Sequence, residues 1–397
     1  MESIGIMSSL TNDDEDVFLD EDDIIEEISV DEEDLPEADD DDDDADEASD
    51  EEADDSVHIF SGHTGEVYTV ACSPIDPTLV ATGAGDDKGF LWKVGGQGAF
   101  ELKGHKDSVS CVSFSCDGQL VASGSFDGVI KVWDILSEKL DECRLKETGS
   151  GIEWVRWHPR GRIVLAGSDS TVWMWWYAPD TLYDTLYPLS GHAGTVTCGD
   201  FTPDGKTICT GSDDATLRIW NPKTRDSIHV FKGHTEGLTC LAITADSSLV
   251  LTGSKDGSVH IVRISTGKVV ASLTSHTGSI ECIGLSSSSL QWAATGSMDR
   301  KLIIWDLQQS VPVERCTCEH REGVTCVSWL GRTRFVATGC VDGRVRIWDS
   351  LNGKCVKILR GHTDAVQSIA ISAHANHLVS VSLDGTARVF QIHQFFN

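Results

Sequence analysis

The 397-residue sequence predicts an all-β fold: eight repeated antiparallel sheets closed into a ring, preceded by a disordered acidic tail. Three observations carry this reading. The stretch 104–134, GHKDSVSCVSFSCDGQLVASGSFDGVIKVWD, holds three apolar runs, VSCVSF, LVASGS and VIKVW, each with the period-two pattern of a strand packed on one face. The landmarks of this stretch recur along the chain with a period near 42 residues. The acids are concentrated at one end, with 29 Asp and Glu and no Lys or Arg in residues 1–56.

In chain order, residues 1–56 come first. Their run DDDDDD at 39–44 repels itself and cannot fold alone. Two apolar spots interrupt the acids, Val17-Phe18-Leu19 and Ile24-Ile25 with Ile28. This tail is read as a solubilising segment; the sharper alternative is one that captures basic peptide or covers the chain's own site. Ser49, followed by Asp-Glu-Glu, fits an acid-directed kinase. Of the chain's 64 acids and 31 bases, 35 acids and all 31 bases lie beyond residue 56, so most of the net charge of −33 belongs to the tail. A near-neutral domain with a polyacidic tail lacks the basic face that a phosphate backbone requires. Basic proteins are the natural partners, and direct nucleic-acid binding is not expected.

Next comes Val57-His58-Ile59-Phe60, a short apolar run like those before the later repeats. The repeats then follow. A Gly-His type anchor recurs at His63, His105, His192, His234, His276, His320 and His362, with Thr148 in the missing place. An Asp follows each anchor by 21 to 23 residues, at Asp86, Asp127, Asp169, Asp214, Asp256, Asp299, Asp342 and Asp384. Six residues further on stand Trp92, Trp133, Trp175, Trp220, Val262, Trp305, Trp348 and Phe390. Within the unit, Asp117-Gly118 and Asp127-Gly128 mark tight turns. One such meander cannot bury both faces and needs copies beside it.

These landmarks resemble the WD-repeat family of β-propellers over residues 57–393, with their Gly-His and Trp-Asp ends. The resemblance implies a hydrogen-bonded set inside each blade, made in the second blade by His105, Ser123, Asp127 and Trp133. Blade three, with Thr148 and Ala166, departs from it. The domain is expected to span 57–397, with 57–60 supplying the outer strand that the eighth blade lacks. Ring closure removes an open sheet edge that would invite aggregation.

The remaining composition narrows the class further. MESIGIMSSL has no positively charged start, so no signal peptide is expected, and no apolar run approaches the ~20 residues of a membrane span. Cys111, Cys198, Cys240, Cys282 and Cys326 share one repeat position, which reads as small core filler in a reducing compartment. The lone Cys316-x-Cys318 lacks the partner pairs of a metal site. The His and Asp residues define the period, whereas a catalytic group would break it. No enzyme activity, cofactor or metal is therefore expected.

Function must sit in short turns on the two faces of the disc. In WD-repeat proteins, the positions flanking the first-strand Val and preceding the turn Asp point to the narrower top face. Here they supply Glu66, Tyr68, Asp213, Lys255, Glu281, Met298, Phe126 and Glu153, with Asp107 on a neighbouring turn. Of these, Glu66, Tyr68, Asp107, Phe126, Glu153, Asp213, Glu281 and Met298 form the expected peptide-binding face. Carboxylates would pair with Arg or Lys while apolar groups cover their stems. Blade three carries Trp154, Trp157, Trp173, Trp175 and Trp176, five of the chain's twelve Trp; Trp154 and Trp157 are expected in the core, and Trp173 is the better candidate for a contact, although packing is the favoured reading there too, because aromatics bury large areas.

The segments GHKDSVSC at 104–111 and GIEWVRWHP at 151–159, the Trp-rich third blade and the acidic leader resemble one branch of the family. Its fungal member is a dedicated chaperone. That resemblance implies a monomeric, cytoplasmic or also nuclear protein that holds the basic segment of a newly made large-subunit (60S) ribosomal protein. The alternative is a signalling or ubiquitin-ligase adaptor. Against it, Ile135, Leu307 and Ser350 stand near the Trp-Asp pairs where cullin-type adaptors carry a base.

Overall fold

The computed structural model describes residues 53–135, 142–144, 148–177, 186–288, 291–309, 311–374 and 376–396. Residues 1–52 lie outside them, as do the expectations placed on the tail and on Ser49. The described strands form eight four-stranded antiparallel sheets, so the chain is an eight-bladed β-propeller. Blade 1 runs through Val67–Cys72, Leu79–Ala84, Gly89–Lys93 and Ala99–Leu102. The first strands of blades 2 to 8 are Val109–Phe114, Ile152–Trp157, Cys198–Phe201, Leu238–Ile243, Ile280–Leu285, Val324–Trp329 and Val366–Ile371. These first strands pack against one another around the ring and form its inner wall.

The apolar alternation in the repeat is spent between blades. Each of eight hydrophobic clusters joins two neighbouring sheets. One combines Leu120, Ala122, Ile130 and Val132 of blade 2 with Ile152, Val155, Trp157, Val164 and Trp175 of blade 3. Fully burying side chains of this size contributes ~1.5–3 kcal/mol each, so a blade's stability comes largely from its neighbours. Small residues in the second strands let the sheets approach: a Cβ on Gly124 would come within 2.7 Å of both Cys111 Sγ and Ile152 Cγ2.

Closure of the ring is non-covalent. His58–Phe60 pairs with Ala387–Gln391, aligning His58 with Val389 and Phe60 with Ala387. Just before it, the Val57 N–H donates to Val389 O at 2.8 Å, Arg360 N–H donates to Asp55 Oδ2 at 2.8 Å, and the Arg388 guanidinium pairs with Asp54. Val67, Val70 and Val80 then pack against Val379, Val381 and Val389, giving the 8–1 junction the same kind of core as the other seven. Among the described residues no helix is long and apolar enough to cross a membrane.

Candidate functional site

The periodic His and Asp residues are structural. In blade 2, His105 Nε2 lies 2.8 Å from Ser123 Oγ, His105 Nδ1 lies 3.2 Å from Asp127, and the Trp133 indole N–H donates to Ser123 Oγ at 3.2 Å. Blades 1, 4 and 6 repeat this with Thr82, Thr210 and Thr295 at the hub. Each anchor imidazole is buried, and burial holds His63 and His192 below the ordinary histidine range despite the neighbouring carboxylates.

Four blades vary the set. In blade 8 Phe390 replaces the Trp, while His362 Nε2 keeps Ser380 Oγ at 2.7 Å. In blade 5 Val262 replaces the Trp, and His234 Nδ1 faces Ser258 Oγ at 2.9 Å. In blade 7 Arg346 donates to both oxygens of Asp342, at 2.5 and 3.1 Å, and the His320 Nδ1–H turns to Cys318 O at 3.0 Å. In blade 3 the Thr148 hydroxyl faces the Gly128 and Ser150 carbonyls and accepts from the Ser168 hydroxyl at 3.1 Å, and Trp175 Nε1 has no partner among the described residues. Two other tryptophans compensate by bonding outward. Trp154 Nε1–H donates to Val196 O of blade 4 at 2.8 Å, and Trp157 Nε1–H to Ser113 O of blade 2 at 2.9 Å. Trp173 is partly buried and stacks on Trp175, the packing role favoured for it from the sequence; Trp176 is 60% exposed.

The functional positions are built by β-bulges. In seven blades the register between the first two strands skips one residue, for example Glu153 between Ile152 and Trp154, and Glu281 between Ile280 and Cys282. The skipped residues are Tyr68, Ser110, Glu153, Thr239, Glu281, Thr325 and Gln367, and Thr197 holds the equivalent place in blade 4. A bulge re-aims its extra side chain. Here four short ones strap the inner wall: the hydroxyls of Ser110, Thr197, Thr239 and Thr325 donate to Ile152, Leu238, Ile280 and Val366 O of the next blade. The other four, Tyr68, Glu153, Glu281 and Gln367, are long and present functional groups at the mouth of the ring. This division into short and long residues is visible in the sequence once the bulge position is known.

Beside this ring lie the residues that precede each turn Asp. Three of them lie across a glycine that opens the next blade: Phe126 over Gly151, Asp213 over Gly237 and Met298 over Gly323. Blades 3 to 6 bring together Glu153, Asp213, Lys255 and Glu281, with Glu236 near Lys255; Lys255 Nζ donates to Asp213 Oδ1 at 2.8 Å. Partial burial and the Asp213 charge push the Glu153 carboxyl above the usual carboxylate range. The Lys255 ammonium is pushed up by its hydrogen bond to Asp213, then by the charges of Asp213, Glu281 and Glu236. Below this rim Arg156 and Asp200 face each other at 3.8 Å. Elsewhere the same slot holds exposed apolar residues: Met298, Val341 and Phe126 are 47, 37 and 44% exposed.

The sequence-predicted residues differ in their immediate surroundings. Glu153, Asp213 and Glu281 share the acidic sector. Glu66 is occupied on blade 1, where the Tyr68 phenol donates to its carboxylate at 3.0 Å. Asp107 is exposed and accepts the Ser108 N–H at 2.8 Å. The pairing of Lys255 with Asp213 is the feature that sequence reasoning missed. The signal available was that Lys255 stands 42 residues after Asp213, in the same slot of the next blade.

A family profile described as WD domain, G-beta repeat matches eight times, at 54–93, 96–134, 142–175, 183–221, 225–262, 267–306, 313–349 and 353–391. The chain belongs to the WD-repeat family. This WD-repeat chain is 36% identical to human angio-associated migratory cell protein over 356 residues, covering 85% of this chain and 80% of that protein. Its fold is similar to Chaetomium thermophilum Sqt1 in a crystal structure with the N-terminus of the ribosomal protein L10 bound. The TM-score there is 0.76 at 22% identity, over 86% of this chain and 100% of that one. Saccharomyces cerevisiae Sqt1 is similar as well, with TM-score 0.77 at 21% identity, over 86% of this chain and 99% of that one.

Proposed function

We propose that this WD-repeat protein is a non-catalytic binding platform whose top face holds the basic, extended segment of a newly made large-subunit ribosomal protein. The observation that carries the reading is the acidic sector, where Glu153, Asp213, Glu281 and Glu236 surround a single lysine at the mouth of the ring. Supporting it are the fold shared with Sqt1, which binds the N-terminus of ribosomal protein L10, and the identity to angio-associated migratory cell protein. The chemistry is consistent. A ribosomal segment rich in Lys and Arg is unpaired before assembly, and carboxylates at the bulge positions offer charge-assisted hydrogen bonds. Exposed pairs contribute only ~0.2–1 kcal/mol each, so affinity comes from several of them together with burial on the exposed apolar residues Met298, Val341 and Phe126. Such a protein would act in the cytosol, where ribosomal proteins emerge, and as a monomer.

Affinity purification from actively translating cells, with the co-purifying proteins identified, tests the reading. One dominant basic ribosomal protein is the expected result. Recovery of cullin-complex subunits in its place would replace the chaperone by an adaptor.

A further inference from the structure

The acidic sector contains its own cation. Lys255 occupies in blade 5 the slot that Asp213 occupies in blade 4, and its side chain reaches back across the gap between the blades. Its Nζ stands 2.8 Å from Asp213 Oδ1. The room for this comes from Gly237, where a Cβ would lie 2.5 Å from that same oxygen. The pair is not buried: the Lys255 side chain is 50% exposed and that of Asp213 38%. Exposed ion pairs of this kind stabilise a fold little, and neither residue belongs to the hydrogen-bonded set inside a blade. Its setting is electrostatic, with Glu153 on the Asp213 side and Glu281 and Glu236 on the Lys255 side. Among the described residues neither Glu153 nor Glu281 has a Lys or Arg within ion-pair distance, whereas Asp213 does. The sector thus offers carboxylates on both flanks of a carboxylate that is already occupied.

We infer that Lys255 is a built-in competitor for the basic ligand, holding Asp213 and making the top face select segments whose positive charges straddle it. The inference rests on the peptide-binding reading proposed above. A lysine suits the task because its ammonium is a compact charge on a flexible stem and can swing aside, which a bidentate arginine would do less readily. Two consequences follow. A cation placed directly over Asp213 must displace Lys255 or meet its charge. Cations placed toward Glu153 and Glu281 do not. A run of contiguous charges therefore gains less from the face than charges separated by small neutral residues.

The test uses the full chain and two fluorescein-labelled synthetic peptides of equal charge. One has contiguous arginines, and in the other the arginines are separated by Gly and Ser. Anisotropy titrations at ~0.05 M and ~0.5 M salt span weak and strong screening. Wild type is expected to bind the spaced peptide more tightly. Lys255→Met is expected to tighten both by about three- to tenfold at low salt, the contiguous one more, and to lose the gain at high salt. Asp213→Asn is expected to weaken binding, since it releases Lys255 without a partner, and the double variant is expected to return near wild type. Lys255→Gln removes the charge but keeps a polar, hydrogen-bonding side chain and should follow Lys255→Met. Thermal midpoints should stay unchanged throughout, which separates competition from a structural role. If wild type binds the peptides but both Lys255 variants bind them no more tightly, the inference is overturned while the peptide-binding reading stands. If wild type binds neither peptide, the reading beneath it fails and the inference falls with it.

Discussion

Replacing Thr210 by Val tests the claim that the repeated polar residues are architecture. The two side chains have nearly the same shape, and Thr210 is fully buried, so no cavity is opened and little apolar surface is lost. What is lost is a hub. The Trp220 indole N–H donates to Thr210 Oγ1 at 2.8 Å, and the Thr210 hydroxyl donates to His192 Nε2, also at 2.8 Å. That fixes the His192 proton on Nδ1, from which it is donated to Asp214 Oδ2 at 3.0 Å. In the valine variant, Trp220 Nε1–H and His192 Nε2 both stay buried without a partner. Each such group costs ~1–3 kcal/mol, giving a total of ~2–6 kcal/mol. Because the ring is an array of similar sheets, one global midpoint can hide a local change, so two readouts are needed. Urea unfolding gives the global loss, and hydrogen exchange of Ile208–Gly211 and Thr216–Trp220 gives the local one. A loss under ~0.5 kcal/mol by both would refute the role assigned to the hub.

Three further outcomes follow from the same structure. Ala166→Ser in blade three supplies the acceptor that Trp175 Nε1 lacks and should raise stability by ~1 kcal/mol, read as a shift of the urea midpoint; a loss would mean that the site cannot accommodate the hydroxyl. Burial, aided by His260 and Arg346 respectively, brings His234 and His320 down to about 4 from 6.5. The unfolded chain takes up those protons first, so stability present above pH 6.5 should fall between 6.5 and 4 by on the order of 3 kcal/mol per histidine; a thermal midpoint flat across that window would contradict the burial argument. Deleting the chain through Phe60 removes the outer strand of blade 8 and should lower the thermal midpoint clearly, whereas deleting 1–50 should not.

The fold was legible because the signal is periodic and redundant. His105, Ser123, Asp127 and Trp133 could be assigned to one network from spacing alone, and they lie within 3.2 Å of their partners. Blade seven shows the limit of that inference. Arg346 stands in the slot of Lys131 and Arg218, and nothing in the spacing tells that it captures Asp342 and leaves His320 to a carbonyl. The site was legible as a set of positions, since the period aims each blade's turns at the same face. The bulges were not, because one skipped residue leaves the apolar alternation nearly intact while it turns Glu153 and Glu281 toward the mouth of the ring. Side-chain reach across a blade gap was not legible either. Lys255 and Asp213 are far apart in sequence and opposite in charge, and their pairing depends on the space above Gly237.

The central claim is that the acidic sector at the mouth of the ring binds a basic segment. Isothermal titration of a basic N-terminal peptide of a large-subunit ribosomal protein into wild type and the single reversals Glu66→Lys, Glu153→Lys and Glu281→Lys, at low and moderate salt, tests it most directly. The account predicts that Glu153→Lys and Glu281→Lys weaken binding about tenfold or more at low salt. Glu66→Lys should have less effect, because Glu66 is held by Tyr68, and affinity in wild type should fall as salt rises. Unchanged affinity in all three variants, or binding insensitive to salt, would contradict it.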